Sequence, residues 1–174
     1  PPAMTALPII AKLVHYPVKG LNGLAKTQAV LTVGEGMPLD RLYAIENGSH
    51  RFDAQNPKWF PKTHFLQLMR NERLASLALT FDEESHALTL FRDGKQVAKG
   101  ALKTKLGRQI IEQFLSSYMR ADLKGPPRIV CAEGHSFADI ADKALHIVNL
   151  ETVRAVSRVI GVDQSGLAMQ VLDQ

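Results

Sequence analysis

The chain has 174 residues, enough to bury a substantial core as one large domain or two small ones, and its 45% hydrophobic and 22% charged residues exclude a disordered polymer. No apolar run reaches membrane-spanning length, residues 1–6 lack the features of a secretory signal, with Met4 the expected start, and the lone Cys131 rules out an intramolecular disulfide or a cysteine-based zinc site, so a soluble cytoplasmic protein is expected. The formal net charge of +4 helps attract anions without marking a dedicated nucleic-acid binder.

Residues 9–15 are apolar and β-branched and predict a strand that ends at Tyr16-Pro17. Pro17 holds Tyr16 extended, and Gly20 and Gly23 permit a tight turn, so Lys19 is expected where a strand stops and bends. Residues 27–33 alternate, with Ala29, Leu31 and Val33 on one face of a second expected strand. Gly36 and Pro38 then mark a turn, after which Asp40-Arg41 opens a third strand at residues 42–46, closed by Asn47-Gly48. Residues 51–63, rich in Pro, Asn and Lys, predict an ordered loop pinned to the body by Trp59 and Phe60.

Residues 74–81, 87–92 and 96–99, separated by an acidic turn and by Asp93-Gly94, predict a three-stranded antiparallel meander. Leu106, Ile110, Ile111, Phe114, Leu115, Tyr118 and Met119 recur at helical spacing and predict one buried stripe, with Gly107 a small cost in the first turn. Gly125-Pro126-Pro127 breaks that helix, a short strand is expected at residues 128–132, and residues 133–142 form a polar loop. Residues 145–148 predict a strand, and Asn149 is placed to cap a last helix, ended by Gly161, whose inner face carries Val153, Val156, Val159 and Ile160.

Lys19 and Arg41 are the leading functional pair, because each follows a turn and two such charges suit a phosphate; otherwise they are surface charges, with Arg41 bridged to Asp40 or Glu35. Between Arg41 and Arg73 the basic residues Arg41, Arg51, Lys58, Lys62, Arg70 and Arg73 outnumber Glu46, Asp53 and Glu72, as either a solvated face or an anion site. His135, Ser136 and Asp139 stand close together, but there is no nucleophile-elbow pattern, so a polar loop is favoured over a hydrolase triad. The six histidines, His15, His50, His64, His86, His135 and His146, show no metal-ligand spacing, and no dinucleotide or phosphate-loop motif is present. Cys131 lies in an apolar stretch and is expected in the core.

The order Tyr16-Pro17-Val18-Lys19, then Asp40-Arg41, then Gln55-Asn56-Pro57 resembles the N-terminal β-barrel domain of MOSC proteins, the family named from the molybdenum-cofactor sulfurase C-terminus. The stretches 135–139 and 146–153 resemble the opening of the MOSC domain proper, and the resemblance spans about residues 9–163. It implies a mixed α+β, β-rich chain: an N-terminal β-barrel-like domain with an amphipathic helix at residues 8–122, followed by part of a MOSC β-barrel domain at 123–174. It also implies a molybdopterin-type cofactor gripped between the two parts. Lys19 and Arg41 would meet its phosphate or pterin, Gly20 would offer a backbone amide where many relatives carry serine, Asp139 would order the adjoining loop, and Asn149 and Thr152 would contact the pterin. No metal ligand is assigned, since the family's Arg-Phe-Arg-Pro-Asn segment and later cysteine are not found; residues 166–174 read otherwise, and an incomplete or inactive chain is expected.

The resemblance therefore implies a molybdenum-cofactor-binding protein related to reductases of N-hydroxylated compounds and to cofactor sulfurases, served by a redox partner protein. The alternative is a non-catalytic anion- or pterin-binding, or partner-docking, module. Self-association through exposed strand edges, such as residues 145–148, is a further expectation. Nucleic-acid binding ranks last because aromatics and charges are not interleaved.

Overall fold

The computed structural model describes residues 7–48 and 51–161. The expected start at Met4, His50 and the residues 166–174 lie outside the described residues. Three short strands come first: β1 (Leu13–His15), β2 (Val18–Lys19) and β3 (Leu24–Lys26). β1 and β3 pair antiparallel, with His15 opposite Leu24. Ile9 and Ile10 are exposed and irregular, so only the end of the first apolar run becomes strand. Residues 27–33 do not form the expected strand, and Val30, Leu31 and Val33 face solvent. Alternation specifies a face only where a neighbouring strand accepts the backbone hydrogen bonds, and among the described residues none pairs with this stretch.

β4 (Tyr43–Asn47) is the central element, and all five of its residues are buried. It runs parallel to β2, placing Lys19 opposite Ala44, and antiparallel to β8 (Pro127–Val130), placing Ala44 opposite Val130. Thus β8, which follows residue 122, completes a sheet begun by residues 18–19. Ile129 lies in the same apolar cluster as Val18, Ile45 and Leu66.

The expected meander forms, but its first strand starts later. Asn71 opens a single helical turn, α1 (Glu72–Ala75), which buries Leu74, and β5 (Ala78–Phe81) follows. β6 (Ala87–Arg92) pairs with β5 and with β7 (Lys95–Ala101). The architecture is mixed α and β, rich in strand, with three separate sheets ordered β1-β3, β2-β4-β8 and β5-β6-β7. The expected N-terminal barrel is not closed, because no ladder joins the three sheets among the described residues.

Helix α2 (Lys105–Tyr118) is capped by Thr104, whose hydroxyl accepts from the Gly107 amide at 3.0 Å. Its buried positions are Gly107, Ile111 and Leu115, one per turn, while Leu106 and Ile110, expected in the stripe, are exposed. The inward face is narrower than the apolar pattern because α2 lies very close to β7. A Cβ on Gly107 would stand 2.1 Å from the Ala101 carbonyl oxygen. Gly107 is therefore what lets helix and strand touch, rather than a small propensity cost.

After the polar loop, residues 145–148 are irregular, with Leu145 and Ile147 exposed, so the expected strand and its edge are not formed. The last helix, α3 (Leu150–Ile160), begins where expected: the Asn149 side chain accepts from the Glu151 amide at 2.9 Å, and Gly161 ends it in the left-handed conformation. It buries Val153 and Ser157, while Val156, Val159 and Ile160 face solvent, which corrects the expected inner face. Among the described residues no helix is long and apolar enough to cross a membrane.

Two expectations follow from this packing. Alanine has the better helix propensity by about 1 kcal/mol, yet Gly107→Ala should lower stability by about 1–3 kcal/mol through backbone overlap, read as a lower urea midpoint. Acid should also destabilise the chain. Burial lowers the pKa of His15 below 6.5, with Lys26 adding to the effect and Glu83 opposing it, and burial likewise lowers His86 and His135. The unfolded chain then binds more protons as pH falls through 6.5, so folding is weakened there. Replacing buried His15 with glutamine should shrink the drop in melting temperature across that range.

Candidate functional site

Lys19 ends β2 as expected, and its side chain is nearly buried. The ammonium donates to the Phe137 carbonyl at 2.8 Å and to Asp139 Oδ1 at 2.6 Å, and it lies 5.9 Å from the centre of the Phe65 ring. Burial lowers the Lys19 pKa, and the hydrogen bond and charge of Asp139 act against that shift. The partners come from about 120 positions away in sequence. They are held there because the Phe137 amide donates to the Arg41 carbonyl at 2.8 Å and the Phe137 ring packs on Phe52, Phe65 and His135.

Arg41 does not sit in a strand. It precedes β4 in a left-handed turn with φ of 50°, and its amide donates to the Tyr16 carbonyl at 2.6 Å. The same turn places Asp40 so that one oxygen accepts from the Tyr16 amide at 2.6 Å while the other pairs with the Arg41 guanidinium. That guanidinium lies 4.9 Å from the centre of the Tyr16 ring and 4.0 Å from Asp139 Oδ2. Glu35, the other candidate partner, pairs with Lys143 instead.

Gly20 follows with φ of 86°, and a Cβ there would stand 2.2 Å from the Leu66 carbonyl oxygen. A serine of the kind the resemblance associates with this position does not fit this backbone. Tyr16, Lys19, Gly20, Arg41, Lys62 and Asp139 line one cleft of about 50 Å³. Lys62 and Gln67, also in its lining, were not singled out by sequence; the only signal was the basic stretch around Lys62. Phe137 was missed as well, because its contribution is a backbone carbonyl.

Lys19, Gly20, Arg41 and Asp139 are thus brought together, whereas Asn149 and Thr152 are exposed at the start of α3 and do not line the cleft. The Asn149 side chain is spent on its own helix cap. His135, Ser136 and Asp139 have separate tasks: aromatic packing, a 3.4 Å hydrogen bond to the Asp40 carbonyl, and the Lys19 pair. Trp59 is half-exposed and donates to the Ala138 carbonyl at 3.3 Å, while Phe60 packs on Phe52 and His64, so both pin the loop as expected. Cys131 packs partly buried against the core.

The cleft's donors suit an oxyanion: three cationic side chains against one carboxylate in the lining. Its volume is well below the roughly 300–1,000 Å³ of small-molecule pockets, so it accommodates a single anionic head group with the rest of the ligand outside. Among the described residues no three His, Cys, Asp or Glu side chains are grouped to hold a metal. The donor set therefore suits a phosphate-like oxyanion and, among the described residues, offers no metal ligand set. No protein family, curated protein or solved structure matches the chain.

Gly20→Ser should lower stability by about 1–3 kcal/mol through the Leu66 contact and the left-handed φ. A urea midpoint equal to that of the unsubstituted chain would show that the backbone at Leu66 can yield.

Proposed function

We propose that this chain is a MOSC-type protein that binds a molybdopterin-type cofactor, with its phosphate in the Lys19–Arg41 cleft. The observation that carries the reading is the convergence of Lys19, Gly20, Arg41 and Asp139, from opposite ends of the chain, on one small cationic cleft. Lys62 supplies exposed charge and Arg41 partly exposed charge. Lys19 supplies a buried positive potential, and Asp139 fixes its ammonium.

When bound, such a cofactor supplies a molybdenum centre capable of two-electron chemistry, in keeping with relatives that reduce N-hydroxylated compounds or transfer sulfur. This chain's own contribution is to hold and orient the anionic end, and no reaction step is assigned to its residues. A redox partner protein would be needed for turnover. The alternative, a non-catalytic anion- or pterin-binding module, is favoured by Cys131 packing against the core instead of lying in the cleft.

Titration with metal-free molybdopterin tests the reading. Arg41→Gln should weaken binding about tenfold or more, the loss expected for a hydrogen bond to a charged group, and Lys19→Ala, which removes field more than free donors, should weaken it less. Circular dichroism should show the Arg41 variant folded. Equal affinity across the series would remove the cleft from cofactor binding.

A further inference from the structure

Another cleft, of about 560 Å³, lies between α1, the turn joining β6 to β7 and the last turns of α2. Its size falls in the roughly 300–1,000 Å³ range of small-molecule sites. Its lining includes two aromatic residues one helical turn apart, Phe114 and Tyr118, whose rings stack with centres 5.3 Å apart and planes 14° from parallel. Both are half-buried. A partly exposed aromatic residue of this kind can pack against a further planar ring by offset stacking or edge to face.

Two guanidinium groups flank the rings. Arg92 lies over Tyr118, 5.4 Å from the ring centre. Arg73 is tied to the same residue twice, donating from Nη1 to the Tyr118 carbonyl at 2.9 Å while its own carbonyl accepts from the Tyr118 hydroxyl at 2.9 Å. The carbonyl uses one of the five guanidinium donors, so the rest of the fork is available in a fixed position. Arg73 forms no ion pair among the described residues, and the only carboxylate in the lining, Asp93, is 3.6 Å from Arg92 and almost fully exposed. The lining keeps an excess positive charge. Ser76 and Ser117 also line the cleft.

We infer that this cleft is a second binding site, for a small molecule that joins an anionic group to a planar aromatic ring, of which a mononucleotide is the simplest kind. The anion meets Arg73 and Arg92, and the ring lies on Phe114. Asp93 can turn toward water or accept a hydrogen bond from a ring N–H. The site shares no lining residue with the Lys19 cleft.

Calorimetric titration of the full chain with adenosine 5′-monophosphate, adenosine and inorganic phosphate tests the inference. The monophosphate should bind at least about tenfold more tightly than either part, since a charged hydrogen bond and a stacking contact each contribute. Arg92→Gln, at an exposed position, and Phe114→Leu, which keeps the apolar packing, should each weaken the monophosphate about tenfold, while Arg41→Gln, folded by circular dichroism, leaves it unchanged. Absence of saturable binding, affinity no better than for phosphate alone, or loss in Arg41→Gln with retention in Arg92→Gln would each overturn the inference. The last result would assign the nucleotide to the Lys19 cleft.

Discussion

A lysine ammonium can be buried only if the lost hydration is replaced, and much of this molecule's long-range organisation serves that requirement at Lys19. Its replacements are the Phe137 carbonyl and Asp139. Neither could reach β2 unless the segment carrying them were docked, which the hydrogen bond from the Phe137 amide to Arg41 and the aromatic packing of Phe52, Phe65 and Phe137 achieve together. The pairing of β8 with β4 brings the chain to the right side of the sheet first. One buried charge thus links the first strands to the polar loop after β8.

The arrangement also divides labour between the two cations. Lys19 is largely consumed by protein acceptors, so it contributes field more than free donors. Arg41 keeps partial access to solvent, and its position is set by Asp40, the Tyr16 ring and its own left-handed turn. Preorganising a guanidinium reduces the side-chain entropy lost when an anion binds. The same device recurs at Arg73, anchored to Tyr118. In both clefts an aromatic residue positions the cation.

Close backbone approach is the second constraint on the design. Gly20 lets β2 bend past Leu66, and Gly107 lets α2 rest on β7. Neither requirement can be read from the local pattern, because the atoms that would collide come from residues distant or separately folded.

The sequence by itself determined the meander, the presence of α2, the α3 cap, the bend after Lys19 and the ordered loop held by Trp59 and Phe60, since each depends on periodicity, turn chemistry or capping within a few residues. It also singled out Lys19 and Arg41, whose charges suit an anion clamp, while Asp139 was pointed to by the family resemblance. It misplaced strands at residues 27–33 and 145–148, where alternation or apolarity had no partner strand to bond. Asn149, which the resemblance linked to the cofactor, uses its side chain to cap α3 and lies outside the Lys19 cleft. Only the tertiary structure decided that the sheets remain separate, that a backbone carbonyl at Phe137 stabilises Lys19, and that Arg73, Arg92 and the Phe114–Tyr118 pair share a cleft. Those outcomes depend on which distant surfaces meet, and the free energy of such meetings is set by burial and hydrogen bonding across the fold rather than by neighbours in the chain.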